Sequence, residues 1–388
     1  MKRVIAGVAI AILLLVALGF VLLPGILESN INRVAEHEPY EVSEAAQALH
    51  DRLMVVDLHA DTLLWARDPL ERGSRGHVDV PRLAEGNVTL QVFSAVTKVP
   101  YDQQYTGTSG NSDIITLLSV VQRWPARTRG SLLERALFQA ERLKDAEARA
   151  PEKLMIVRSA TDLERLIERR NGGSYPVGGL LAIEGAHPLE GKLENIERLR
   201  DAGYRMMGVT HFFDNELSGS LHGLSGEGLT AFGREAIREM ERLGIVIDLA
   251  HASPAAVRDT LDIATRPVVV SHTGIHGACD SPRNIEDDLM KQIADAGGLV
   301  GIGYWKGAAC GTSPADIVKS IRYAIDFLGV DHVALGSDYD GAVPVAFDTS
   351  ELAALTAEMQ RTKFTEEEIA KVMGGNAIRF FRENLNES

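Results

Sequence analysis

The sequence predicts an α/β protein built as a (β/α)8, TIM-like barrel, preceded by an N-terminal transmembrane or signal-anchor helix. Three observations predict it. Eight short apolar, β-branched runs recur along the chain. Amphipathic, charge-laced stretches of helical length separate them. One uncharged apolar run, Val4–Leu27, stands apart at the N-terminus. Near-continuous apolar strands alternating with helices indicate a parallel sheet covered on both faces. Eight such units in about 330 residues favour a closed barrel over an open sheet.

The N-terminal run has about the 20 apolar residues needed to cross a bilayer. It shows no convincing small-x-small cleavage pattern between Leu22 and Asn32, which favours an uncleaved anchor over a cleaved signal peptide. Lys2 and Arg3 favour a cytoplasmic N-terminus and put the rest of the chain on the far side. The expected organisation is therefore residues 1–30 as anchor or signal and 31–388 as one catalytic barrel. The barrel would be membrane-anchored and extracytoplasmic (periplasmic in a bacterium), or secreted if the leader is removed.

The expected strands are Leu53–His59, Val88–Val96, Gly178–Glu184, Met206–His211, Ile245–His251, Pro267–His272, Leu299–Tyr304 and His332–Asp338. Expected helices include Leu132–Ala148, Leu193–Ala202, Leu229–Leu243, Pro254–Ile263, Asn284–Ala296 and Ala315–Leu328. Thr230, Ser253 and Ser313 stand at N-cap positions, the last two followed by proline. Gly244, Gly297 and Gly329 stand where C-cap glycines belong. The stretch from Thr97 to Ser174 holds extra helices and gives no clear strand.

The chemistry lies at the carboxyl ends of the apolar runs. The first ends in His59 and Asp61, the third in Glu184, the fourth in His211, the fifth in His251, the sixth in His272 and the eighth in Asp338. Each alone reads as a hydrogen-bonded structural residue or a helix cap. In a barrel, however, all these ends converge on the catalytic rim. Six of the eight runs end in His or carboxylate while their interiors stay apolar. Imidazoles and carboxylates without thiolates suit zinc, manganese or iron, and the donors suffice for two ions with Glu184 as the central bridge. Asp57, on the strand face of His59, reads as a buried partner that orients a ligand. The other seven histidines serve as controls: His332 begins its run and belongs to the opposite face, while His37, His50, His77, His187, His222 and His276 read as structural or outer residues.

Net charge is −14 with no cluster of Lys and Arg, which argues against nucleic acid as a partner. Two cysteines, Cys279 and Cys310, exclude a thiolate cluster; in an oxidising compartment they can pair.

The motifs "DLHAD", "AIEGAH", "VTHF", "GIVIDLAHAS", "PVVVSHTG", "SPRNIEDD", "GSDYDG" and "GGNAIRFF" occur in this order. From about Val55 to Phe381 the chain resembles the membrane (renal) dipeptidases, metallopeptidases of the amidohydrolase-like barrels. The resemblance implies a dipeptide substrate and two divalent ions, zinc (Zn2+). One ion would be held by His59, Asp61 and Glu184, the other by Glu184, His251 and His272. It implies Asp338 as the proton shuttle, and His211 and Arg283 as substrate-binding residues, Arg283 taking the terminal carboxylate. It also implies a Cys279–Cys310 disulfide and admits a homodimer. The first motif is H-x-D, where many other amidohydrolases carry H-x-H. Leu58 and Ala60 replace the Gly and Asn often found there, and the loops Thr106–Ser112 and Ser218–Gly228 are individual; these departures touch side-chain preference, not the ligands. The alternatives are a tethered hydrolase of another amide or lactam, and a non-catalytic binding protein on the same barrel. The second predicts eroded ligands, and none of the expected ones is missing.

Overall fold

The computed structural model describes residues 22–387, with two isolated positions, 5 and 19, before them. The expected membrane span Val4–Leu27 therefore lies mostly outside the described residues. Among the described residues, no helix is long and apolar enough to cross a membrane.

All strand pairings are parallel. The strands are β1 (Val55–Ala60), β2 (Val88–Val96), β3 (Leu154–Ile156), β4 (Val177–Glu184), β5 (Tyr204–Gly208), β6 (Val246–Asp248), β7 (Val269–Thr273), β8 (Leu299–Ile302) and β9 (Val333–Leu335). β1 pairs with β2 and β9, and β2 pairs with β4 over Leu90↔Gly178 to Val96↔Glu184. From β4 the ladder runs through β5, β6, β7 and β8 to β9. Eight strands thus close the expected barrel. β3 lies on the edge of β4 that β5 occupies further along, pairing only Val177–Gly179. Three residues between two helices carry no readable period, so this strand has no signature in the sequence.

Helices cover the barrel where amphipathic stretches were expected, with Leu132–Arg149, Ala231–Arg242, Pro254–Ile263 and Pro314–Leu328 the clearest. Thr230, Ser253 and Ser313 each accept a backbone N–H from three residues on, and Ser313 and Asp316 form a capping box. Leu133, Ala136, Ala140 and Leu143 of the first of these helices join the large apolar cluster with Phe93, Leu181 and Ile183 of the barrel. Cys279 and Cys310 are joined in a disulfide with Cα atoms 5.5 Å apart.

Four strands, β5, β6, β8 and β9, stop short of their expected ends, all at the rim. β5 stops at Gly208 and β6 at Asp248, so His211 and His251 stand on the loops beyond them. After β6 the ladder is replaced by a side chain: Asp248 Oδ1 accepts from Ala250 N at 3.0 Å and from Ser271 N at 2.9 Å.

The segment before the barrel is built into the same rim. Glu28 is buried and ion-paired to Arg67 and Arg75, and Arg67 continues to Asp340 at 2.6 Å. Asn32 Oδ1 accepts from Ala342 N at 2.8 Å, and Val34 bridges to Val345.

Of the histidines expected to be structural, His332 bonds the Gly298 carbonyl beneath the barrel. His77 is wholly buried and accepts from Asp340 N at 2.9 Å. Burial, only partly offset by Asp340, lowers its pKa to about 4. The unfolded chain, with an imidazole near its ordinary value of about 6.5, binds the proton better. The resulting stability is intact above about 6.5 and is lost as pH falls toward 4. His77→Asn keeps an acceptor and removes the titration. In denaturant unfolding of metal-stripped protein at pH 7.5 and 4.5, the wild type should lose about 2–3 kcal/mol more than the variant. Equal losses would refute the assignment.

Candidate metal centre

Every residue expected at the site is brought to one rim of the barrel. His59 lies on β1, Glu184 ends β4 and His272 lies on β7. Asp61, His211, His251 and Asp338 stand on the loops just beyond their strands. His251 and Asp338 have positive φ, 65° and 61°, a conformation that non-glycine residues adopt at a cost of order 1–3 kcal/mol. Neighbouring groups hold both turns. The His251 carbonyl accepts from Leu221 N at 2.7 Å and Thr210 Oγ1 at 2.9 Å. Beside Asp338, a Cβ on residue 341 would lie 2.1 Å from Asp338 Oδ1, so Gly341 is what lets the carboxylate sit there.

Glu184 is the centre. Its Oε1 lies 3.1 Å from His251 Nε2, 3.3 Å from His272 Nε2 and 3.7 Å from His59 Nε2; its Oε2 lies 3.4 Å from His211 Nε2. His59 Nε2 is 3.3 Å from Asp61 Oδ1, and His251 and His272 approach through Nε2 at 2.9 Å. Three donor triads have atoms within 4.8 Å of one another: His59–Glu184–His272, Glu184–His211–His251 and His59–Asp61–Asp338. The five expected ligands are thus contiguous. His211 and Asp338, expected in other roles, also lie within donor distance.

The donor set fits divalent cations. His59 Nε2 and Asp61 Oδ1 are buried, face one another and have no hydrogen-bond partner. Such atoms carry a desolvation cost unless something binds them. Burial raises the pKa of Asp61 despite His59, and that of Glu184 still further with Asp61 adding to it. Burial also carries Asp338 to about 8, against the pull of His59. At His59 burial opposes the imidazolium, but Asp61, Glu184 and Asp338 outweigh it and lift the pKa to about 10. Burial first, and then surrounding positive charge, holds His211, His251 and His272 well below the ordinary imidazole value, leaving neutral donors. Three crowded carboxyls beside neutral imidazoles call for positive charge, and oxygen and nitrogen donors suit first-row divalent ions.

The cluster floors a cavity of about 310 Å³. Leu64, Val96, Phe212, Trp305 and Val343 give it apolar walls, and Arg283 lines it from the side. Arg283 is buried, donates to the His272 carbonyl at 2.8 Å and lies over Trp305 at 5.3 Å. Among the described residues it forms no ion pair, so its charge is available to an anion entering the cavity.

Several participants were missed in the sequence. Tyr105 lines the cavity and accepts from Trp305 Nε1 at 2.9 Å; both lie in segments without a motif. His222, expected in an outer loop, is buried and stacks on Phe212 at 4.6 Å, beside His251. Asp57 orients the His59 main chain rather than its ring. Its Oδ1 accepts from His59 N at 3.2 Å and Ser337 N at 2.9 Å, bridging β1 to the loop after β9. The ring's Nδ1 points instead across the barrel to Ser271, 3.4 Å away.

Known proteins are similar to this chain in sequence and fold. The family model described as membrane dipeptidase (peptidase family M19) matches residues 43–388. An uncharacterised dipeptidase of Schizosaccharomyces pombe is 26% identical over 358 residues, 84% of this chain and 80% of that one. A metallopeptidase of Rhodobacter sphaeroides, solved with a phosphinate mimic of the dipeptide L-Ala-D-Ala, is 25% identical with a TM-score of 0.71, covering 86% of this chain and 99% of that one. The probable dipeptidase PvdM of Pseudomonas aeruginosa shares the fold at 19% identity and a TM-score of 0.72, over 88% of this chain and 97% of that one. With the family model spanning the barrel and its rim of donors, the chain belongs to the membrane dipeptidase family, peptidase family M19, and is a metallo-dipeptidase, a hydrolase of peptide bonds.

Proposed function

We propose that this enzyme cleaves dipeptides with two divalent ions, zinc, held side by side. His59 and Asp61 would hold one, His251 and His272 the other, and Glu184 would serve both. The observation that carries this reading is the convergence of four imidazole nitrogens on the single carboxylate of Glu184, between 3.1 and 3.7 Å. When bound, the ions supply a Lewis acid for the scissile carbonyl and bring the pKa of the attacking water toward about 7.

The remaining steps belong to the protein. The buried guanidinium of Arg283 pairs with the terminal carboxylate of the substrate, a task its planar fork suits. His211, neutral and facing the cavity, positions the scissile carbonyl. Asp338 takes the proton of the attacking water as the new C–O bond forms, then delivers it to the nitrogen as the C–N bond breaks. Positive charge at the cluster favours the carboxylate form Asp338 needs to begin. The apolar walls exclude water and leave room for small apolar side chains.

The test is hydrolysis of matched dipeptides, their C-terminal amides and tripeptides, before and after chelation and zinc re-addition. Free dipeptides should be cleaved best, with kcat/KM lower for the amides by about tenfold or more, because a buried charge is left unpaired. Amides cleaved as well as acids would remove Arg283 from its role.

The uncharged run Val4–Leu27 behind Lys2 and Arg3 supports an anchored, extracytoplasmic barrel, and the disulfide accords with an oxidising compartment. Protease accessibility in intact cells tests that placement.

A further inference from the structure

Ser271 precedes His272 on β7 and is wholly buried. Its Oγ lies 2.5 Å from Asp248 Oδ2, 3.0 Å from His272 Nδ1 and 3.4 Å from His59 Nδ1. A hydroxyl has one proton and two lone pairs, and an ionised carboxylate only accepts. The Ser271 proton therefore goes to Asp248, and the hydroxyl can only accept from the two rings. Both Nδ1 atoms must carry hydrogen. Nε2 is then the nitrogen each ring can offer to an ion, His272 beside Glu184 and His59 beside Asp61, both at 3.3 Å.

The surroundings leave Ser271 little freedom. Asp248 also binds its backbone N–H. On the other side, a Cβ on Gly301 or Gly336 would lie 2.2 or 2.0 Å from the Ser271 carbonyl oxygen. Neighbouring strands press on this residue through positions that admit no side chain. Asp57 offers an instructive contrast: it makes the same two backbone contacts, yet its companion Ser337 donates to the His59 carbonyl at 3.1 Å and reaches no ring.

We propose that Ser271, held by Asp248, is a positioning residue that fixes the tautomer of one ligand of each ion and so ties both ion sites to one hydroxyl. The proposal rests on the two-ion reading above. Groups that hold the far nitrogen of a ligating histidine are worth about 10–100-fold in metal affinity when removed.

The test is zinc binding by metal-stripped wild type, Ser271→Ala and Asp248→Asn, each in competition with a chromophoric chelator, with melting of each stripped protein alongside. Ser271→Ala should weaken both zinc-binding steps by about 10–100-fold while the stripped protein melts near the wild type. Asp248→Asn is the more discriminating variant. Its amide oxygen can keep the backbone contacts while its NH2 faces Ser271, driving the hydroxyl proton toward a ring that must then expose the wrong nitrogen. It should weaken zinc although the serine is present, a result that loss of packing does not predict. Wild-type affinity in both variants would overturn the proposal, and weakening of one step alone in Ser271→Ala would overturn the shared hydroxyl. Wild-type protein that binds no zinc would overturn the two-ion reading itself, and this inference with it.

Discussion

Asp338→Asn is expected to lower kcat by about 10²–10⁴-fold, the range for loss of a positioned proton-transfer group, while zinc content stays at the wild-type level. Asparagine keeps the size of the side chain and the fit over Gly341, but it can neither take the proton of the attacking water nor return it to the leaving nitrogen. The loss corresponds to about 3–5 kcal/mol of barrier. KM should change little, because Arg283 and the apolar walls are untouched. Steady-state kinetics with metal analysis on the same preparation check this. Activity within a few-fold of the wild type would remove Asp338 from the reaction, and loss of zinc would make it a ligand, as its place near His59 and Asp61 allows.

Glu184→Gln should do more, because in the proposed two-ion centre it strikes both ions at once. Glutamine keeps one oxygen acceptor but loses the charge that two cations share. Zinc content should fall below one equivalent under conditions that fill the wild type. Hydrolysis should drop about 10³-fold or more, since the Lewis acid alone is worth several kcal/mol. The stripped proteins should behave oppositely. Burial and the nearby Asp61 and Asp338 hold the Glu184 pKa well above its ordinary value. Removing that carboxyl relieves a destabilising contact, so the stripped variant should melt no lower than the stripped wild type. With zinc, the order reverses, because ligand bound only to the folded state adds stability. A variant that melts far below the wild type in both states would mark Glu184 as a folding residue instead.

How much of this was legible in the sequence depended on whether a residue's role is local. Glu184 and His272 were legible because each ends an apolar run, and the barrel carries such ends to one rim. His211 and His251 were legible as site residues although their strands stop earlier. The sequence does not reveal that Asp248 replaces the ladder with its own carboxylate and turns the chain before His251. The eight barrel strands could be read from composition; β3 could not, being three residues between two helices. Glu28 shows the limit at the N-terminal boundary. In "GILESN" it reads as the polar end of a helix, yet its partners Arg67 and Arg75 come from a loop some forty residues on. Ser271 shows the same limit at the site. A serine inside "VVVSHTG" reads as one more strand residue, and its bond to His59 exists only because β1 and β7 face each other across the barrel. Asp57 was legible as a buried partner of a ligand residue; that it holds the main chain of His59 rather than the ring needed the geometry.

Zinc titration of the stripped enzyme, followed by hydrolysis of one good dipeptide at each addition, bears most directly on the two-ion centre. Activity should return in step with zinc and reach its plateau at two equivalents per chain. Full activity in the metal-free protein, or zinc uptake to two equivalents with no dipeptide cleaved, would contradict it.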